Sequence, residues 1–336
     1  MRIFVYEYIT GGGLLDKAVP ASLAREGEVM AQALMRDLAE IPGVEVLTTR
    51  DARLPSVPER VQVIESAAGE SADALFRRGL AASDAVWPIA PESAGILESL
   101  SRHVLDAGRI LLGSRPDAVH VAASKHATSA TLRQRDVAAV ATYLPGEMPS
   151  EVSSAWIVKP DDGVGCTDVR LFHRLAYARR WLDAHRPHDS YAGFVLQPFV
   201  GGDARSLSLL CRDGDAVVLA RNRQRIAVRN DRFHYFGSVV NEISDPDGSL
   251  AALARHIAAA MPGLWGYVGV DYIATESGPV VMEVNPRTTT SYAGLRASLG
   301  ANPAQMVLAL LDAATPLPTT LAPALKVDVT AEAMRA

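Results

Sequence analysis

Apolar and polar residues along the first third of the chain follow two alternating periods. Short apolar runs at Arg2–Tyr8, Val44–Thr48 and Ala85–Ile89 predict strands, as does Arg109–Leu112 after a glycine turn at Gly108. Between them, Leu23–Leu38 and Ala72–Ala81 carry apolar residues at helical spacing. Strands alternating with helices predict an α/β unit, an open and mostly parallel sheet with helices on its faces. Ligands of such sheets gather beyond the carboxyl ends of the strands. Two of those ends are unusual: Glu7-Tyr8-Ile9-Thr10-Gly11-Gly12-Gly13 and Trp87-Pro88-Ile89-Ala90-Pro91-Glu92-Ser93. The second predicts a helix start with Glu92 and Ser93 near its positive end. The glycine triplet by itself reads more readily as a plain flexible turn.

From Gly113 the pattern changes, and Gly113-Ser114-Arg115-Pro116-Asp117 predicts the crossing into a second lobe. Asp117–Asp136 predicts one helix containing Lys125. Strand, glycine loop and strand follow: Ala155–Pro160, Asp161–Thr167 and Val169–Phe172. After an amphipathic Leu175–His185 and a polar linker comes the strand that ends in Gln197-Pro198-Phe199-Val200. Arg205–Cys211 and Ala216–Leu219 predict a hairpin through Arg212-Asp213-Gly214-Asp215, and Thr315–Ala336 a Pro-rich connector with a short final element. Three units are expected: 1–113, 114–190 and 191–336.

The sharpest pattern lies in the last unit. Gly266–Ile273 and Val280–Arg287 are strand-like, with the turn Glu276-Ser277-Gly278-Pro279 between them. Alternation sends Val280, Met282 and Val284 toward a core and Glu283 and Asn285 together to the other face. A three-residue loop, Glu276 to Gly278, sets Asp271 opposite Glu283. Two carboxylates about 4 Å apart repel by about 4 kcal/mol at an effective dielectric of about 20, so the pair calls for a cation. Oxygen ligands alone, without thiolate or imidazole, favour a hard ion such as magnesium, with manganese as the alternative. The bland reading is a surface hairpin with solvated acids, against which the apolar alternate face argues.

Other candidates are less specific. In Lys159-Pro160-x-x-Gly163-x-Gly165 the glycines allow the backbone to approach an anion that a strand-end lysine complements; a flexible hairpin tip fits the same letters. Gln197, Phe199 and Val200 at a proline-ended strand offer free backbone groups beside an amide and an aromatic ring. Arg221, Arg223 and Arg225 share one face if the run stays extended and attract carboxylate or phosphate, or merely discourage strand pairing. The eight histidines show no metal-ligand spacing, and no serine sits in a strained glycine-flanked elbow.

Composition adds exclusions. The 336 residues are 49% hydrophobic and carry a net charge of −5, which argues against a nucleic-acid surface. Two cysteines, Cys166 and Cys211, exclude a disulfide framework and fit a reducing cytoplasm. No signal segment or run long enough to span a membrane is read.

Taken in order, Lys125, Lys159 with its glycine loop, the Gln197–Val200 hinge, and Asp271 followed by Glu283-x-Asn285-x-Arg287 resemble the ATP-grasp superfamily over roughly residues 113–311. The resemblance implies an ATP-grasp fold behind an N-terminal substrate domain. It also implies ATP and magnesium as cofactors. Lys125 and Lys159 would contact the phosphates, and the loop with Gly163, Gly165 and Cys166 would close over them. Gln197, Phe199 and Val200 would hold adenine, and Asp203 the ribose. Asp271, Glu283 and Asn285 would bind metal, and Arg287, with Lys159, would act on the reacting group. Gln197-Pro198 departs from the Glu-Lys of many members. Glu7 to Gly13, Ala90-Pro91-Glu92-Ser93, Asp162 to Cys166 and Asn285 to Ser291 look similar to the tyramine–glutamate ligases of methanofuran and methylofuran biosynthesis. The activity implied is an ADP-forming carboxylate–amine ligation through an acyl phosphate. Glutamate would meet Arg221, Arg223 and Arg225, and an aromatic amine would meet Glu7, Tyr8, Glu92 and the mouth near Trp87. An ATP-grasp carboxylase or phosphotransferase, and a regulatory nucleotide-binding protein, stay open as alternatives. Expected partners are a small carboxylate and an amine, with a homodimer left open and neither nucleic acid nor membrane.

Overall fold

A computed structural model describes residues 1–55, 57, 59–147, 149, 153–163, 168–185, 193–318 and 325–330. The first lobe comprises β1 (Arg2–Glu7), α1 (Ala21–Ala39), β2 (Glu45–Arg50), β3 (Gln62–Glu65), α2 (Ala72–Ala81), β4 (Ala85–Ile89), α3 (Ile96–Asp106) and β5 (Ile110–Leu111). Its five strands lie parallel in the order β3-β2-β1-β4-β5. The period-two pattern of β1 is why the sheet can be covered on both sides. Ile3 and Val5 pack with Leu34, Met35 and Leu38 of α1, whereas Phe4 and Tyr6 pack with Phe76 of α2 and Leu97 and Leu100 of α3.

The expected single helix over 117–136 is instead α4 (Pro116–Ala123) and α5 (Lys125–Arg133). Ser124 stands between them in an extended conformation, and its hydroxyl accepts from the Ala127 N–H. A capping serine starts a new helix there, which makes Lys125 the first residue of α5.

The remaining elements are β6 (Trp156–Pro160), β7 (Arg170–Phe172), α6 (Leu175–Ala184), β8 (Phe194–Pro198), β9 (Asp203–Arg212), β10 (Asp215–Arg229), β11 (Arg232–Val240), α7 (Ser249–Ala260), β12 (Gly266–Thr275), β13 (Gly278–Asn285), α8 (Tyr292–Leu299), α9 (Pro303–Ala309) and β14 (Val327–Thr330). They build an antiparallel sheet in the order β13-β12-β9-β10-β11-β7-β6-β8, with β14 added to β11. The run expected to break after Leu219 continues as one strand, β10, and turns into β11 through Asn230 and Asp231. Both residues have positive φ, the conformation a two-residue hairpin needs.

One face of this sheet packs on α7 through Leu207, Leu209, Val268 and Val270. The other face extends the core of the first lobe: Leu210, Leu219, Tyr267, Tyr292 and Leu295 belong to the same cluster as Ile3, Val5 and Leu34. A shared core therefore fixes α1 against α8, which follows β13, and this places residues of the first lobe at the mouth of the cleft described next.

Candidate active site

A cleft of about 550 Å³ opens between α1, the β6–β8 pair and the concave side of the large sheet. On its floor Asp271 stands opposite Glu283, as the alternation pattern predicts, but the turn that leads there differs. Thr275 pairs with Gly278, so the loop has two residues, Glu276 and Ser277, and the register slips by one between Asp271 and Tyr272. A β-bulge at Met282 absorbs the difference. It also changes the faces: Val281 and Val284 are the buried apolar residues of β13, while Met282 turns into the cleft beside Glu283 and Asn285.

Asp271 accepts from Gln224 Nε2 at 2.7 Å and from Asn285 Nδ2 at 3.2 Å. Burial, and next the neighbouring Glu283 charge, push its pKa up to about 7. Lys125 Nζ lies 3.4 Å from Glu283 Oε1. The pair thus holds more negative charge than its neighbours balance, and its donors are oxygens, which fits a hard divalent cation. Among the described residues no cluster of three His, Cys, Asp or Glu side chains forms, so such an ion would draw on Asp271, Glu283 and Asn285 and take its other ligands from phosphate and water.

Both lysines of the sequence reading reach this cleft, and both are buried. Lys159 comes from β6. Lys125 Nζ donates to the carbonyls of Asp161 at 3.1 Å and Gly163 at 2.7 Å. Asp161 also caps α5, its carboxylate accepting from the His126 N–H at 2.9 Å. Asp162 ties the loop to the first lobe: its carbonyl accepts from Ser93 Oγ at 2.7 Å and its carboxylate from the Ala94 N–H at 3.0 Å. Gly163 lines the cleft. Gly165 and Cys166 lie outside the described residues.

Gln197, Phe199, Val200 and Asp203 line the same cleft. Gln197 is buried on β8 and donates from Nε2 to Thr142 Oγ1 at 2.8 Å. The ladder with β6 ends at Pro198, which pairs with Trp156. Asp203 faces Arg205 at 3.0 Å.

Arg287 also lines the cleft, and the structure reassigns its neighbour Glu92. Glu92 does stand at the start of a helical stretch, the 3₁₀ turn Ser93–Gly95 that leads into α3, but its side chain caps nothing there and instead holds Arg287, with Nε 2.9 Å from Oε1 and Nη2 donating to Oε2 at 3.1 Å. Trp87 is likewise not at an open mouth. It is buried, and its Nε1 donates to Thr288 Oγ1 at 3.1 Å.

Glu7 and Tyr8 do not line the cleft. Glu7 is buried beneath α1 and accepts from the Ile9 and Thr10 N–H groups at 3.2 and 2.6 Å; burial raises its pKa. The glycine triplet is a tight turn, with the Gly11 N–H on Glu7 O, the Gly13 N–H on Tyr8 O, and Gly12 at φ +99°.

The three arginines do not converge on the cleft either. Each has its own acid: Arg221 near Asp245 at 3.6 Å, Arg223 near Glu242 at 3.1 Å, and Arg225 forked on Asp328 of β14. Only Arg223 of the three lines the cleft. The residues between them do more. Gln224, Ile226 and Val228 line it from β10, Phe233 and Tyr235 from β11, and Glu26 and Met30 from α1. No spacing in the sequence joins Glu26 to residues 200 positions away, and Gln224 was hidden among the arginines.

A family profile for the ATP-grasp domain matches residues 122–291, and one for the pre ATP-grasp 3 domain matches residues 44–119. The tyramine–L-glutamate ligase of Methanocaldococcus jannaschii is 25% identical over 298 residues, 88% of this chain and 84% of the relative. Among solved structures, an ATP-grasp superfamily protein from Archaeoglobus fulgidus superposes with a TM-score of 0.70 at 25% identity, covering 92% of this chain and 88% of that one. An L-amino acid ligase from Bacillus licheniformis gives 0.67 at 14% identity, over 91% and 73% of the two chains, and so shares the fold. With the domain profile spanning the cleft from Lys125 through Arg287, the chain belongs to the ATP-grasp family and is a carboxylate–amine ligase of that family.

Proposed function

We propose that this ligase joins the carboxyl group of L-glutamate to the amine of tyramine or tyrosine, with ATP cleaved to ADP and phosphate, in the biosynthesis of a one-carbon carrier of the methanofuran or methylofuran type. The observation that carries the reading is that Lys125, Lys159, Asp271, Glu283, Asn285 and Arg287 line one cleft, in a chain similar over most of its length to a tyramine–L-glutamate ligase. On this reading the units 1–113, 114–190 and 191–336 serve as substrate, phosphate-binding and metal-bearing lobes, working in the cytoplasm. No helix among the described residues is long and apolar enough to cross a membrane.

The chain's own residues account for the chemistry in a simple order. Lys125 and Lys159 offset phosphate charge so that a carboxylate can approach the terminal phosphorus. Gln197, Phe199 and Val200 receive the base, and Asp203 the ribose. Asp271, Glu283 and Asn285 would hold magnesium, or manganese, which when bound polarises the phosphoryl oxygens. The carboxylate takes the phosphoryl group, ADP leaves, and the amine displaces phosphate from the acyl phosphate to form the amide. Arg287, its fork fixed by Glu92, faces the charge that develops in both transfers. No side-chain nucleophile is needed.

The test is product analysis with ATP, magnesium, L-glutamate and a panel of amines. ADP with a glutamyl amide of tyramine or tyrosine is expected. Turnover with non-aromatic amines alone would discard the substrate assignment, and AMP as product would discard the mechanism.

A further inference from the structure

Four acidic side chains line the cleft, and three have partners. Asp271 takes Gln224 and Asn285, Glu283 faces Lys125, and Asp203 faces Arg205. The fourth, Glu26, enters half-buried from α1 and makes no hydrogen bond or ion pair with any described residue. Arg287 and Arg25 are near enough to act on its charge, but Glu92 takes the fork of the first and the second is exposed on α1. Burial also raises the Glu26 pKa. A carboxylate kept in such a wall without a cation is costly unless a ligand supplies one.

Beside it lies an apolar patch. Side chains two apart on a strand share a face and sit about 7 Å from one another, so Ile226 and Val228 extend outward from Gln224, which is bonded to Asp271. Ile226 pairs across the hairpin with Tyr235, and Val228 with Phe233. All four line the cleft, yet Ile226 and Val228 are 37% and 46% exposed. Tyr235 lies within 3.4 Å of Thr290 Oγ1 and lines the same cleft as Glu26; burial raises its pKa, and the Asp271 and Glu26 charges add to the rise. An exposed apolar patch rimmed by one unpaired acid has the chemistry of a site for an organic cation.

We propose that Glu26 and this patch form the acceptor-amine site: the carboxylate binds the ammonium group of a primary amine, and the Ile226–Tyr235 and Val228–Phe233 pairs hold an aromatic side chain attached to it. The assignment rests on the ligase reading above and gives that reading its second substrate pocket, on the hairpin face opposite Arg221 and Arg225.

The experiment compares the wild-type enzyme with Glu26→Gln, using ATP, magnesium and L-glutamate, with either tyramine or hydroxylamine as the acceptor. Hydroxylamine is a small nucleophile, largely uncharged at neutral pH, that has no use for the acid or the patch. At subsaturating tyramine the ratio of amide to hydroxamate should fall at least tenfold in Glu26→Gln and recover in part in Glu26→Asp. Val228→Ser should reduce the preference for tyramine over methylamine severalfold. An unchanged ratio in Glu26→Gln, or equal loss of both products, overturns the assignment. Calorimetry of tyramine binding to the two enzymes, with ADP and magnesium present, separates the layers. If the wild type forms neither product the ligase reading fails, and the amine site then stands only if tyramine binds wild type at least tenfold more tightly than Glu26→Gln.

Discussion

Glu92 and Arg287, 195 positions apart in the chain, lie with carboxylate and guanidinium side by side, and both are largely buried. The pair joins the carboxyl end of β4 to the loop after β13. It therefore couples the position of a cleft arginine to the packing of the parallel sheet.

Glu92→Gln should destabilise the protein by about 3–5 kcal/mol, because it leaves a buried guanidinium without its counter-charge. Urea unfolding measures this. The double variant Glu92→Gln/Arg287→Met should recover part of the loss, and a fully additive double variant would show that the two side chains are not energetically coupled.

Arg287→Lys keeps the charge but not the fork. Loss of one oxyanion-type donor predicts a fall in kcat of roughly 100-fold with little change in the KM for ATP. A large rise in that KM at constant kcat would move Arg287 from the reacting group to the nucleotide.

The raised pKa of Asp271 makes a claim about pH. In the metal-free protein the folded state holds a proton between about pH 4 and about pH 7 that the unfolded state has released, so this group's contribution to stability is full below about pH 4 and is lost as pH rises through about 7. Asp271→Asn should flatten that part of the slope in unfolding midpoints measured across the range. Magnesium needs the ionised form, so its affinity should fall as pH drops below about 7, with proton release on binding. Magnesium affinity that does not change with pH would remove Asp271 from the ligands.

Gly27 on α1 faces the buried Glu7, and a Cβ there would stand 2.6 Å from its carboxylate. Replacing a helical glycine by alanine ordinarily gains about 1 kcal/mol, whereas overpacking costs about 1–3 kcal/mol. Glu7 is buried and held by two N–H groups, so Gly27→Ala should be net destabilising in a chemical melt. A more stable variant would show that the carboxylate has room to move.

The sequence reading succeeded where local periodicity dictates structure. The alternation in β12 and β13 set Asp271 opposite Glu283, and β1 and β4 were legible as apolar runs. The same reading erred in the turn, because a two-residue loop plus a bulge gives the same pairing at Asp271 as a three-residue loop without one. Side-chain partners were the harder matter. Arg221, Arg223 and Arg225 look like an anion site until Asp245, Glu242 and Asp328 arrive beside them, and Glu92 stands at a helix start, as its letters suggest, without any local sign that its carboxylate goes to Arg287. Glu26 gave no signal, since one acid among several on an amphipathic helix acquires meaning only when a shared core brings α1 against the far end of the chain.

The large sheet is not uniformly stiff. Strands β9 and β12 share nine paired positions, whereas β7 and β11 share one among the described residues, Arg170 with Arg232, helped by the Leu171 N–H on Asp231 O. That seam rests on about two hydrogen bonds among the described residues, each worth only about 1 kcal/mol net. The β6–β8 panel, which carries Lys159 and Gln197, is held from outside that seam: Asp161 bonds α5, Asp162 bonds the first lobe, and residues 138–143 bond both Leu196 of β8 and Val281 of β13. The separation between Lys159 and the two carboxylates is thus set less by the ladder of the sheet than by the segments that clamp its two panels from outside.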